Sequence, residues 1–97
     1  STYNNKEWLI QREKVFELLD LLECTYSKDQ AGMFVWAAIP SGYKDGYALS
    51  DKVLYDANVF ITPGGIFGNA GDKYVRVSLC CKEENIEAAI TRIKGLP

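Results

Sequence analysis

The sequence predicts a small α/β (α+β) sandwich, a mixed three- to four-stranded sheet with flanking helices in the order α-β-α-β-β-α. Three observations predict it. Residues 74–81 alternate, with Val75, Val77, Leu79 and Cys81 on one side and Tyr74, Arg76, Ser78 and Cys80 on the other, which is the period of a strand. Segments near both ends carry apolar residues at helical spacing. Between them, Gly32-Met33-Phe34-Val35-Trp36-Ala37-Ala38-Ile39 is a nearly continuous apolar run ended by Pro40.

Taken in order, residues 5–23 or so read as a long helix. Trp8, Val15, Leu19 and Leu22 fall on one stripe, Leu18 widens it, and the segment holds no Gly or Pro. A chain that opens almost at once with an amphipathic helix reads as one cut from something longer. The run to Ile39 has the length and aromatic content of a strand buried on both faces. Ser41-Gly42-Tyr43-Lys44-Asp45-Gly46 is a turn-rich loop. A short helix is expected over about residues 49–56, with Ser50 near its start. Val59-Phe60-Ile61-Thr62 is a second short strand, closed by Pro63-Gly64-Gly65. The alternating strand follows and puts Arg76 opposite its apolar residues. The last helix, about residues 83–94, has Glu83 and Glu84 in its first turn and Arg92 and Lys94 in its last, as the helix dipole favours. Ile86, Ala89, Ile90 and Ile93 form its apolar stripe, and Gly95 and Pro97 stop it. One strand–helix–strand link is long enough for a right-handed crossover. The sheet is too small for this chain alone to cover both of its faces.

With 97 residues, a single domain over 1–97 is expected. Such a chain buries roughly 60–65% of the surface its unfolded form exposes, enough for one modest core. Apolar residues make up 47%, which argues against disorder. The net charge is −2, and the 11 basic residues are scattered without forming a stripe, so neither nucleic acid nor a membrane surface is an expected partner. The longest apolar run is too short to span a bilayer. Cys24, Cys80 and Cys81 are odd in number and two are adjacent, which is no disulfide framework. Without histidine or a CxxC pair, neither a zinc site nor a catalytic thiol has support. Free thiols in apolar contexts suggest a reducing, cytoplasmic home.

Several short stretches together resemble the small domain of pyridoxal-phosphate-dependent class I/II aminotransferases, the group of the aspartate and LL-diaminopimelate enzymes. Gly32-Met33-Phe34-Val35-Trp36 is similar to the family's glycine–bulky–Phe–x–Trp strand. Val59 through Gly68 resembles its apolar–Thr–Pro–Gly–x–x–Phe–Gly segment, and Tyr74-Val75-Arg76-Val77-Ser78 its aromatic–apolar–Arg–apolar–Ser strand. The spacing across Asn69-Ala70-Gly71-Asp72-Lys73 matches, although Lys73 stands where the family often has Gly. Trp8 through Leu22, including Arg12, resembles the helix that precedes the first of these strands. The likeness is to the carboxy-terminal domain. The cofactor-binding large domain, with its Schiff-base lysine and phosphate-binding residues, has no counterpart in this chain.

The resemblance implies that Arg76 grips a substrate's α-carboxylate, for which a planar, permanently charged guanidinium is well matched. On the strand pattern alone, Arg76 reads as a solvated arginine on a polar face. The glycine-rich stretch from Thr62 to Gly68 is no phosphate cradle, because a strand rather than a helix follows it. It is expected to be a tight active-site loop with Phe67 lining the substrate pocket, a plain hairpin connection being the alternative. Ser27-Lys28 lacks the Gly-x-Arg-x-Gly that follows the family's Schiff-base lysine, so Lys28 reads as a solvated loop residue.

The parent protein is thus expected to move an amino group between an amino acid and a 2-oxo acid. Pyridoxal phosphate would sit in the parent, with none bound to this chain and no catalysis from the chain alone. Its partners would be its own large domain and a homodimer mate. The alternative is a stand-alone amino-acid-binding regulatory or interaction module.

Overall fold

A computed structural model describes residues 5–30, 32–57, 61–79 and 83–95, with the side chains of 5–8 and 56–57 outside that description. The elements are α1 (Asn5–Leu21), β1 (Phe34–Ala38), α2 (Gly46–Ala57), β2 (Thr62–Pro63), β3 (Tyr74–Ser78) and α3 (Glu83–Lys94). Two 3-10 turns, Gly64–Phe67 and Asn69–Gly71, join β2 to β3. The element order is the expected one, and the fold is a small α+β arrangement.

Helix α1 buries Val15, Phe16, Leu18 and Leu19. It ends where Glu23 turns left-handed at φ 62. Cys24 N–H then reaches back to Leu19 O (3.0 Å), and Glu23 N–H to Asp20 O (3.0 Å). That is a Schellman closure, with glutamate at the position glycine usually takes. Helix α3 buries Ile86, Ala89, Ile90 and Ile93, the stripe expected of it. It packs on α1, and ion pairs tie the two together: Lys14 Nζ to Glu87 (2.6 Å) and to Glu83 (3.5 Å), and Lys94 Nζ to Glu17 (3.7 Å).

Helix α2 begins three residues earlier than its apolar pattern suggests. Asp45 caps it by accepting a hydrogen bond from Ala48 N–H (2.9 Å). Ser50 is therefore not a start signal; it is buried inside the helix with its hydroxyl unpartnered. Gly46 is required at the start of α2 because a Cβ there would run into the carbonyl oxygen of Tyr74.

The three-stranded sheet has the order β1-β3-β2, and both pairings are antiparallel. The parallel relation expected of a strand–helix–strand link holds only between β1 and β2, with β3 between them. The expected mixed sheet is therefore corrected to antiparallel pairing among the described residues. The register sets Trp36 opposite Arg76, and Arg76 opposite Thr62. Val59 and Phe60 lie outside the described residues, as do Cys80 and Cys81.

One face of the sheet is core: Val35, Ala37, Val75 and Val77 are buried together with the helix stripes. The expectation that β1 is buried on both faces is overturned. Its burial alternates, and Trp36 remains 37% exposed. Phe34, Trp36 and Arg76 share the second face, which the described helices leave uncovered.

Candidate functional site

Alternation along β3 fixes where Arg76 points. Val75 and Val77 go to the core, so the side chain between them must leave the opposite face. There it meets aromatic rings. Its guanidinium carbon lies 3.9 Å from the centroid of Phe34 and 4.4 Å from that of Phe67, with Trp36 at 5.9 Å. Trp36 and Phe67 meet edge to face, with centroids 5.7 Å apart. Cation–π attraction of this kind contributes about 0.5–2 kcal/mol, more as water is excluded.

The site assembles from two segments distant in sequence. Strand β1 supplies Phe34 and Trp36, and the first 3-10 turn supplies Phe67. That turn is held by close backbone approach. Gly64 and Gly71 lie so near one another that a Cβ on either would strike the other's carbonyl oxygen, and Gly64 also lies against the Trp36 indole. The N–H of Gly46 donates to Asp72 O (2.7 Å), anchoring the far end of the loop to the start of α2.

Among the described residues, the Arg76 guanidinium is surrounded by rings rather than by acids. Its Nε is enclosed and makes no hydrogen bond, and no carboxylate among the described residues pairs with it. A guanidinium whose neighbours are rings rather than acids keeps its full charge for a ligand, and desolvation by those rings strengthens any pair it forms. The arrangement can bind and orient a carboxylate. It offers no acid, base or nucleophile of its own among the residues around Arg76.

Arg76 and Phe67, singled out in the sequence, are thus brought together. Phe34 and Trp36, expected to be buried, instead lie on the open face beside the Arg76 guanidinium. The register of β1 against β3 identifies them, and that register is not visible in either strand alone. Among the remaining cysteines, Cys24 is buried, and its burial pushes the thiol up to about 11, so it is chemically quiet. No helix among the described residues is long and apolar enough to cross a membrane.

Comparison with known proteins identifies the family. The profile of the family "Aminotransferase class I and II" matches residues 3–93. LL-diaminopimelate aminotransferase of Oleidesulfovibrio alaskensis is 36% identical over 86 residues, covering 89% of this chain and 22% of that enzyme. Transaminase BacF of Bacillus subtilis is 39% identical over 69 residues, covering 71% of this chain and 17% of BacF. The structure of an aromatic aminotransferase from Pyrococcus horikoshii superposes with a TM-score of 0.80 at 28% identity, over 92% of this chain and 24% of that one. Substrate-bound BacF superposes with a TM-score of 0.70 at 32% identity, over 89% of this chain and 23% of BacF. The chain thus spans about a fifth of the length of the curated relatives it matches. With a match across nearly its whole length, the chain belongs to the class I and II aminotransferase family.

Proposed function

We propose that this chain is the carboxy-terminal small domain of a cytoplasmic class I/II aminotransferase, and that Arg76 binds the α-carboxylate of its amino-acid and 2-oxo-acid substrates. The observation that carries this reading is the Arg76 guanidinium itself. It is set among Phe34, Phe67 and Trp36 on the open face of the sheet, with no carboxylate partner among the described residues. Two parallel N–H···O bonds from a planar fork fix both the position and the tilt of a carboxylate. Orientation of that kind is what a transamination site must supply around its cofactor. Phe67, half exposed beside Arg76, lines the substrate side of the pocket.

Family membership implies pyridoxal phosphate in the whole enzyme. The described lysines of this chain do not fit as its anchor. Lys28, Lys44, Lys52, Lys73 and Lys94 are exposed, and Lys14 is paired with Glu87 and Glu83. A lysine that must react as a free amine needs a desolvated or like-charged setting that none of these has. In this reading the anchor belongs to the large domain. That domain and a homodimer mate cover the open sheet face, and closure of the small domain over the substrate excludes water.

The test is steady-state kinetics of the full-length enzyme with Arg76→Ala and Arg76→Lys, on an amino acid and on its decarboxylated amine. Losing two charge-assisted hydrogen bonds in a water-poor site should cost about 3–5 kcal/mol in kcat/KM, roughly 10²- to 10⁴-fold. Arg76→Lys should be nearly as poor, because lysine keeps the charge and loses the fork. The amine should be far less affected than the amino acid. A near-normal kcat/KM for Arg76→Lys on the amino acid would show that the clamp lies elsewhere.

A further inference from the structure

Strand β1 is an edge strand, so every second residue turns its backbone N–H and C=O away from the sheet. Left to water, such groups fray and let a strand shift. At Trp36 and Ala38 they are occupied. At Ala38 the partner is Thr25, whose N–H donates to Ala38 O (2.9 Å) and whose carbonyl accepts from Ala38 N–H (2.7 Å). At Trp36 the partner is a side chain. The carboxamide of Gln30 accepts from Trp36 N–H at Oε1 (2.8 Å) and donates from Nε2 to Trp36 O (2.9 Å). The same Nε2 donates to Ser27 O (2.9 Å), which fixes the amide's orientation. Gln30 thus stands in for a residue of a missing fourth strand, with donor and acceptor in the order an antiparallel neighbour would present.

Trp36 is the residue on β1 that pairs across the sheet with Arg76. A strand side chain stands roughly perpendicular to the sheet, so pinning the Trp36 backbone sets where the indole goes. The indole touches Gly64 and meets Phe67 edge to face, and Phe67 lies on the Arg76 guanidinium. We propose that Gln30 is a positioning residue for the Arg76 site, acting through both backbone polar groups of Trp36. It touches no substrate. It keeps the indole, and through it Phe67, in the place that holds the guanidinium fork in one orientation. The proposal rests on the reading of Arg76 as the carboxylate clamp.

The experiment uses the full-length enzyme with Gln30→Ala, Gln30→Glu and Arg76→Lys, measuring KM and kcat for an amino acid and its decarboxylated amine from about pH 5 to pH 8, a range that brackets the titration of a raised carboxyl. Gln30→Ala should raise KM for the amino acid about three- to tenfold, the scale of one weakened hydrogen-bonding contact, and leave kcat within about twofold. The amine should change less. Gln30→Glu should show the same defect at the alkaline end, where its carboxylate faces the carbonyls of Trp36 and Ser27 without a proton to donate. Those carbonyls raise the introduced carboxyl's pKa, so the defect, taken as a ratio to wild type at each pH, should shrink as pH falls and the protonated form donates again. A residue that merely supported the fold would lower the melting temperature and affect acid and amine alike, with no such recovery. Equal effects on both substrates, or an unchanged KM in the Gln30 variants, would overturn the proposal. Should Gln30→Ala not fold, Gln30→Glu decides alone: a KM ratio independent of pH sinks it. If Arg76→Lys is impaired and the Gln30 variants are not, positioning has failed and the clamp stands. If Arg76→Lys keeps a normal KM, the clamp has failed, and the role of Gln30 goes with it.

Discussion

The two faces of this sheet are made from the same short strands, yet they answer to different constraints. On one side Val35, Ala37, Val75 and Val77 are packed out of reach of water. On the other, Phe34, Trp36, Tyr74 and Arg76 are half-buried or exposed, and Trp36 and Arg76 contact Phe67 of the β2–β3 loop. The packed face tolerates change only at the expense of stability. The open face can change without disturbing the core, so it is where specificity can be built. The pleat separates the two by a single step along the chain.

The sharpest way to break the comparison is to truncate one residue from each face. Leu79 continues the core side of β3, is fully buried, and donates its N–H to Met33 O (2.8 Å). Leu79→Ala should lower stability by about 2–5 kcal/mol, read from denaturant unfolding, while Arg76→Ala should lower it by only about 0.5–2 kcal/mol, the scale of its cation–π contacts. An equal loss of stability in both would show that the open face also carries the fold. Alkaline pH should act next, and on the core side alone. Cys24 is raised from its ordinary 9.0 to about 11 by burial, so the folded state resists losing that proton more than the unfolded state does. The stability this contributes is complete below about pH 9 and is lost as pH rises toward 11. Melting curves across that range should fall more steeply for wild type than for Cys24→Ala. The smallest effect belongs to the open face. Phe67→Leu keeps an apolar side chain and loses the ring, and with it about 0.5–1 kcal/mol of cation–π attraction. Substrate KM in the full-length enzyme should rise a few-fold, with the melting temperature falling by no more than a few degrees.

Much of this was legible in advance, for identifiable reasons. Helix α3 announces itself twice, by its Ile86-to-Ile93 stripe and by the signs of its terminal charges, and both follow from helix geometry. Strand β3 was readable because valine and polar residues alternate. Strand β1 differs from its expectation because Phe34 and Trp36 lie beside the Arg76 guanidinium, and a ring facing a guanidinium has the same sequence appearance as a ring facing a core. The start of α2 was missed because its cap, Asp45, sits beside Gly46 in a stretch that looks like a loop, while Ser50 mimics a cap five residues too late to be one. Arg76 and Phe67 are singled out through resemblance, and the nearness of Phe34 and Trp36 to Arg76 needs the cross-strand register. Gln30 left no trace at all: a glutamine pairing with the backbone six residues on obeys no periodicity.

The meeting of Gly64 and Gly71 carries a further consequence. Because the two backbones close on each other, the segment between them is a loop tied at its own neck, and within it Gly65, crowded by Tyr47 and Asp72, and Gly68, at φ 130, are the further positions that call for glycine. Ile66, Phe67, Asn69 and Ala70 are all exposed on that tip. They can be exchanged without reopening the neck, and whatever replaces Phe67 will still be delivered to the edge of Arg76. On the reading of Arg76 as a carboxylate clamp, these are the positions to randomise in a search for altered substrate preference, with Gly64, Gly65, Gly68 and Gly71 held constant.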